Sequence, residues 1–296
     1  MKYQEISQTS VDALRNAGLD PQHTVDLVKR AFDEDLQSGE DVTSIATIPF
    51  DHRSVGEFRL RTNGVVAGLV VARVALELVG ITDIQTSVLC AHNVESETVI
   101  LTARGNTRSL LLAERTALNF LSHLSGIATL TRRWVDEVSE YDTVIRDTRK
   151  TTPGMRVLEK YAVRMGGGIN HRMSLSESAL IKDNHVEAVG VVGTAFDRVR
   201  ALYPKIPIEV EVDSLDQLRE ILLNSPDLVL LDNMSPADCK QAVAIVAGRC
   251  KLEASGGLTL KNARAYAETG VDYFAVGALT HSASVLDIGL DLKAEI

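Results

Sequence analysis

The chain has 296 residues, 45% hydrophobic and 24% charged, and 31 Lys and Arg against 40 Asp and Glu leave a net charge of −9. That length holds one barrel or two ordinary domains around a substantial core. The acidic balance excludes a general binder of nucleic acid or anionic membrane, and an aromatic share of 4% excludes a stacking platform for single strands.

The polar start MKYQEISQTS does not read as a signal peptide. Asp20-Pro21 then supplies an N-cap and first helical residue for a helix over residues 22–36, whose Val25, Val28, Ala31 and Phe32 share one face. The acidic loop DEDLQSGEDVTS ends it. Strand segments VGEFRLRT, GVVAGLV, ITDIQTSVL and ETVILTAR follow, with a helix over residues 71–78 between them. In VGEFRLRT, Phe58 and Leu60 alternate with Glu57, Arg59 and Arg61, as in a half-buried antiparallel strand. The longest apolar run, residues 65–71, is far short of the roughly 20 residues a membrane span needs. This part reads as a small α+β domain. Residues 110–131 form a helix that is apolar nearly all round, the pattern of one buried between layers or domains. Arg115 lies on an apolar side of it, between Leu111 and Leu118, where an arginine calls for an anionic partner.

From residue 143 the pattern becomes strand, loop, helix, repeated. The strands are TVIRDT, ESALIKD, IPIEVEVDS, DLVLLDN, RCKLEASGG and VDYFAVGA, with a shorter one near residues 162–166. Residues 215–223 and 236–247 are amphipathic helices between them. From Asp213 on, strand ends recur about every 20–22 residues (Asp213, Asn233, Ser255, Gly277), the length of a βα unit, and near-continuous Val, Ile and Leu mark a parallel sheet covered on its faces. An α/β barrel of about seven strands is favoured over an open doubly wound sheet. Cys90, Cys239 and Cys250 fit neither a metal-ligand nor a disulfide spacing, and read as reduced core residues of a cytoplasmic protein.

Against the acidic whole, residues 146–172 carry seven cations: Arg146, Arg149, Lys150, Arg156, Lys160, Arg164 and Arg172. Only Asp147 and Glu159 oppose them, a local excess of five positive charges. Charge-assisted bonds from Arg and Lys to carboxylate and phosphate are strong, so a small, highly anionic substrate is the economical partner. Of the seven, Arg156, Lys160 and Arg164 are spaced four apart on a helix and read as a solvated face or a subunit contact.

Nearly every strand ends in a polar cluster: Asp147-Thr148-Arg149-Lys150, Lys182-Asp183-Asn184-His185, Glu211-Val212-Asp213, Asp232-Asn233, Ser255-Gly256-Gly257 and Gly277-Ala278. Barrel enzymes build their sites at that carboxyl-terminal mouth. In IEVEVD the two-residue period turns Glu209, Glu211 and Asp213 inward, and such like charges need Lys182, Lys251, Arg146 or a metal ion beside them. Glu209 fits a structural ion-pair network as well as a functional role, whereas Glu211 lies nearest the mouth. The glycines of SGG and VGA expose backbone N–H groups suited to phosphate. GGGIN lacks dinucleotide-fingerprint spacing and instead delivers His171 and Arg172. His123, His185 and His281 read as structural. Lys150 and Lys182 each suit an electrophile clamp or a Schiff-base amine.

The segments AERTALNFLSHLSGIATLT, DTRKTTPGMRVLEKYAVRMGGGINHRMSLSESALIKDNH, EVEVDS, LLDNMSP, EASGGL and VGALTHS together resemble the quinolinate phosphoribosyltransferase family over nearly the whole chain. EDLQSGEDVTS resembles its amino-terminal signature, with slightly wider spacing. The resemblance implies an amino-terminal α+β sandwich domain over residues 1–117, an incomplete, about seven-strand α/β barrel over residues 118–283, and a tail, residues 284–296, returning to the first domain. It implies a cytoplasmic homodimer in which Arg115 completes the neighbour's site. The implied reaction joins quinolinate to phosphoribosyl pyrophosphate with Mg²⁺, giving nicotinate mononucleotide, pyrophosphate and CO₂.

By position, the resemblance makes Arg115, Arg149, His171 and Arg172 a clamp for the two carboxylates, with Thr148 beside them and Lys150 between acceptor and pyrophosphate. Lys182 binds donor phosphate. Glu211 and Asp232 hold the ribose hydroxyls and Mg²⁺, and Ser255, Gly256, Gly257, Val276, Gly277 and Ala278 cradle the 5′-phosphate. Lys150, Glu211 and Asp232 are the catalytic expectations. Three other readings compete: a family relative with an altered acceptor, a phosphosugar aldolase using Lys182 as a Schiff base, and a non-catalytic anion-binding module.

Overall fold

Ser7 and Asp20 cap the first two helices, α1 (Gln8–Asn16) and α2 (Pro21–Leu36), by accepting the backbone N–H groups of Ser10 and His23. In this computed structural model, which describes residues 3–295, the chain forms two units. The first takes the chain up to Leu130 together with Thr152–Gly166 and the segment from Ala283 on, and the second takes Thr131–Thr151 and Gly167–Ser282.

The first unit continues with α3 (Val42–Thr47), β1 (Arg53–Leu60), β2 (Gly64–Val65), α4 (Leu69–Leu78), β3 (Asp83–Thr86), β4 (Asn93–Val94), β5 (Val99–Asn106) and α5 (Thr107–Glu137), the last of which runs on into the second from Thr131. Part of the expected acidic loop is therefore helical, because Asp41 caps α3 by accepting from Ser44. Of GVVAGLV only Gly64–Val65 is a strand. Ser125 Oγ takes up both backbone groups of Ala67, so no ladder continues, and α4 begins at Leu69. On β1, Phe58 and Leu60 are fully buried while Glu57 and Arg59 are not, as the alternation requires. Each such side chain contributes about 2 kcal/mol of burial.

The carboxyl-terminal strand β12 (Ile288–Ala294) adds to this sheet, whose order is β12-β1-β5-β3 with every pair antiparallel. Arg59 and Arg61 tie it on the outer face by donating to Asp291 at 3.1 and 2.5 Å. On the approach, the Leu286 N–H donates to Ser122 O on α5. Gly126 allows that approach, since a Cβ there would stand 2.1 Å from Ser284 O.

The second unit is a parallel sheet built from β6 (Val144–Arg146), β7 (Ala179–Ile181), β8 (Ile208–Val212), β9 (Leu228–Asp232), β10 (Lys251–Ser255) and β11 (Tyr273–Ala275), in the order β6-β11-β10-β9-β8-β7. A single parallel bridge from Ile169 to Arg146 extends the β6 edge, so about seven positions are filled and the barrel is not closed. Helices α7 (Asp183–Val189) and α8 (Val192–Leu202) both lie between β7 and β8, and α9 (Leu215–Ile221), α10 (Pro236–Val246), α11 (Ala263–Ala267) and α12 (Ala278–His281) follow β8, β9, β10 and β11 in turn. The short strand expected near residues 162–166 does not form. Leu158, Tyr161 and Ala162 recur at helical spacing, and the segment is α6 (Arg156–Met165), within the first unit.

Two further expectations change here. Lys160 is fully buried, as is Glu159, so the Arg156, Lys160, Arg164 series is not a solvated face, and Arg164 donates to Ala17 O at 2.8 Å. Arg115 is exposed on α5 and forms no ion pair among the described residues, with Leu111 and Leu112 beside it only half-buried.

Candidate active site

The strand ends of the parallel sheet surround a cleft of about 300 Å³ lined by Thr148, Arg149, Lys150, His171, Arg172, Leu180, Lys182, Glu211, Leu230, Asp232, Glu253, Ser255 and Ala275. Nine of these are the residues expected from the sequence. Gly256, Gly257, Val276, Gly277 and Ala278 do not line it but follow directly on Ser255 and Ala275, which do. Arg115 lies in the other unit. Leu180, Leu230, Glu253 and Ala275 were missed. Glu253 was findable, because in KLEAS the two-residue period puts it on the same face as Ser255.

On the cationic wall, Arg149 follows β6 and Arg172 follows the Ile169 bridge. The Nε of Arg149 is buried without a hydrogen-bond partner. Arg172 donates from Nη1 to Ser178 O at 2.8 Å. Burial, and then the neighbouring charge of Arg149, lower the Arg172 pKa below its usual value, with Glu209 offsetting part of this. Two guanidiniums at close quarters are what an anion with two carboxylates relieves. Lys150 is held by its backbone, since Thr280 Oγ1 donates to Lys150 O at 2.7 Å and the Lys150 N–H donates to Thr148 Oγ1.

On the anionic wall, β8 presents Glu209 and Glu211 inward, whereas Asp213 is exposed beyond its end. Lys182 Nζ donates to Glu211 Oε2. Lys251, offered as a neutralising cation, instead pairs with Asp272 at the start of β10, at 2.6 Å. Glu211 and Asp232 also border a second recess of about 500 Å³ that includes Asp183, Glu187, Asp213 and Glu220. They therefore divide a cationic cleft from an acidic one.

Beneath the cleft lies a buried network. His171 Nε2 is 2.7 Å from Glu209 Oε2 and 3.5 Å from Glu253 Oε1, and Arg146 Nη1 donates to Glu253 Oε2 at 2.8 Å. Arg146 also stacks 4.6 Å from the Tyr273 ring. Desolvation pushes both carboxyls up to about 7: Arg146 is the first of the groups holding Glu209 back, while the Glu209 charge pushes Glu253 further. His171, Glu209 and Glu253 offer ligand atoms within 4.8 Å of one another, a possible metal set. Arg146 on Glu253 and the hydrogen bond on Glu209 make an ion-pair network the better description.

In the loop after β10, Gly256 has φ +79°, and a Cβ there would meet Asn233 Oδ1 at 2.2 Å. Asn233 is itself fixed, donating from its N–H to Ser255 O and from its amide to Asp232.

A parallel α/β sheet whose strand ends set arginines and lysines against two carboxylates defines an enzyme for small polyanionic substrates. Residues 41–125 match the quinolinate phosphoribosyl transferase N-terminal domain, and residues 127–291 match the C-terminal domain of the same family. The nicotinate-nucleotide pyrophosphorylase (carboxylating) of Mycobacterium leprae is 51% identical over 273 residues, 90% of this chain and 96% of that one. A probable nicotinate-nucleotide pyrophosphorylase (carboxylating) of Synechocystis is 38% identical, covering 88% and 89%. The crystal structure of NadC from Streptococcus pyogenes superposes with a TM-score of 0.88 at 35% identity, covering 99% of this chain and all of that one. The chain belongs to the quinolinate phosphoribosyl transferase family.

Proposed function

We infer that this enzyme transfers the phosphoribosyl group of phosphoribosyl pyrophosphate to quinolinate and releases CO₂, forming nicotinate mononucleotide and pyrophosphate for NAD biosynthesis. The observation that carries the reading is the juxtaposition of Arg149, its Nε buried and unpartnered, with Arg172 on one wall and Glu211 and Asp232 on the other. The cations suit a dicarboxylate acceptor, and the carboxylates suit a sugar that becomes positively charged as its leaving group departs.

Arg149 and Arg172 bind the acceptor carboxylates and aim the ring nitrogen at the anomeric carbon. Lys150 lies between acceptor and pyrophosphate, with Thr148 setting its backbone. Lys182 leaves Glu211 for a donor phosphate, which frees Glu211 to join Asp232 on the ribose hydroxyls. Ser255, Gly256 and Gly257, with Val276, Gly277 and Ala278, receive the 5′-phosphate through backbone N–H groups. Once alkylated, the ring nitrogen is cationic and accepts the electrons left by CO₂, so catalysis is mainly positioning and electrostatics.

Glu211 and Asp232 supply the hard oxygen donors that Mg²⁺ requires, and the acidic recess beside them concentrates cations, so the residues fit that ion. When bound, Mg²⁺ neutralises pyrophosphate charge. The working unit is a homodimer in which the exposed Arg115 reaches the neighbour's clamp. Three unpaired cysteines suit a reducing compartment, and cytoplasmic residence belongs to the same proposal.

The test mixes protein, quinolinate, phosphoribosyl pyrophosphate and Mg²⁺ and follows nicotinate mononucleotide by chromatography. Product from quinolinate and none from nicotinate is expected. No product, or equal use of nicotinate, overturns the reading. Borohydride trapping of a substrate on Lys182 would point to the aldolase instead.

A further inference from the structure

Resting on that reading, we propose that Glu209 and Glu253 are positioning residues of the acceptor clamp, acting through His171 on Arg172. The Arg172 N–H donates to His171 Nδ1 at 2.8 Å, so Nδ1 is the acceptor nitrogen and Nε2 carries the hydrogen given to Glu209 at 2.7 Å. Both ring nitrogens are thereby taken up within the protein. His171, which also lines the cleft, thereby serves the clamp as a strut beneath Arg172.

Arg172 needs such a strut. Between the Ile169 bridge and β7 it sits on chain without regular hydrogen bonding, which by itself sets no side-chain direction. Glu209 and Glu253 stand on β8 and β10, strands paired on both sides by β7, β9 and β11. Glu209 fixes the His171 ring to β8. Arg146 holds Glu253 in place beneath it. Asp147 fixes the backbone from the other side, accepting the His171 N–H at 2.9 Å and the Asn170 amide at 2.5 Å. The strand framework thus reaches Arg172 through a chain of short contacts, the support a first-contact residue requires.

A purely structural floor would be built differently. Glu209 and Glu253 are 4% and 0% exposed, and both carboxyls converge on His171 Nε2, at 2.7 and 3.5 Å. Two buried acids facing one imidazole are destabilising relative to apolar side chains of the same volume, so their presence beside the clamp points to a use. The Glu209 carboxylate also offsets part of the repulsion between Arg149 and Arg172.

The experiment compares Glu209→Leu, Glu209→Gln and Glu253→Gln in steady-state kinetics, with the wild-type enzyme first shown to form nicotinate mononucleotide. Failure of that control rejects the transferase reading and this inference with it; success makes the variants a test of the inference alone. Glu209→Leu is expected to raise KM for quinolinate about 30-fold while KM for phosphoribosyl pyrophosphate stays within about twofold. Glu209→Gln keeps an oxygen for His171 Nε2–H and is expected to return KM for quinolinate to within about threefold of wild type. Glu253→Gln, close in volume, is expected to give the same split at about fivefold and serves if Glu209→Leu does not fold. Combining Glu209→Leu with His171→Ala should add little to His171→Ala alone. Parallel changes in both KM values, an unchanged KM for quinolinate, or a stoichiometric bound metal lost in Glu209→Leu would overturn the proposal.

Discussion

The ammonium of Lys182 is paired with the carboxylate of Glu211, joining the end of β7 to β8 at the mouth of the cleft. In the reaction proposed, each group is needed by a different part of the donor, so the pair has to open when the donor binds. Lys182 is 43% exposed, which keeps the cost of opening small. Glu211 is 12% exposed, and in the proposed reaction it faces the sugar.

From this relationship, Lys182→Gln is expected to raise KM for phosphoribosyl pyrophosphate by about 10–100-fold with a smaller change in KM for quinolinate, as follows from losing one charge-assisted phosphate contact. Glu211→Gln should instead lower kcat by about 100-fold, since its charge matters most in the transition state. Steady-state kinetics with each substrate varied separates the two. Equal effects of both variants on both parameters would reject the division of labour.

The clamp makes a complementary prediction. Arg149→Ala or Arg172→Ala should raise KM for quinolinate by about 10–100-fold, the loss of a charged hydrogen-bond pair, while the far-ultraviolet circular dichroism stays that of wild type. Arg149→Lys should recover only part of this, because a point charge does not reproduce the planar fork. Unchanged quinolinate kinetics in Arg149→Ala would remove Arg149 from the clamp.

The loop after β10, proposed to receive the 5′-phosphate, predicts a local steric failure. Gly256→Ala forces a Cβ into Asn233 Oδ1 at a positive φ, so either the loop or Asn233 moves. Donor binding should weaken about 10-fold or more, and stability should fall by about 1–3 kcal/mol. Isothermal titration with phosphoribosyl pyrophosphate and urea unfolding give the two quantities. Gly257→Ala is the milder change, because Asn233 Oδ1 would be 4.0 Å from its Cβ.

The buried pair predicts a pH dependence of stability. Glu253 has its folded pKa raised to about 7 from 4.5 by burial and by the Glu209 charge. The folded state therefore holds a proton that the unfolded state has released between about pH 4.5 and 7. Stability is complete below that window and falls as pH rises through it, by at most about 1.4 kcal/mol per pH unit for one proton. Glu253→Gln removes this titration and relieves Glu209 as well. Urea midpoints at pH 5, 6 and 7 should decline less in Glu253→Gln than in wild type, and parallel declines would contradict it.

Much of this site was legible because strand periodicity places side chains by parity. Glu209 and Glu211 face inward for the same reason that Val210 and Val212 do not, and each strand end carries its polar cluster to one mouth. The same rule reached Glu253 and went unused. Helical spacing is less informative, because it groups residues on a face without saying what that face meets. Arg156, Lys160 and Arg164 share such a face, yet Lys160 is wholly buried. Arg115 fails in the opposite sense, lying among leucines in sequence but exposed on α5. What a helix face meets depends on chain far away in sequence, or on another chain, and no local pattern records it.

That exposed Arg115 sets the last prediction. If it completes the site of a neighbouring copy, Arg115→Ala and Arg149→Ala are defects that complement between subunits. In a mixed dimer, the site with an intact Arg149 draws its Arg115 from the Arg149→Ala partner and is whole, while the other site lacks both. Co-expression of the two variants in equal amounts should make half the dimers mixed, with one working site in two, and so restore about a quarter of wild-type activity. Each variant purified alone should show little. An Arg115 that acted within its own subunit would leave every site of the mixed dimer lacking one arginine, and co-expression would restore nothing.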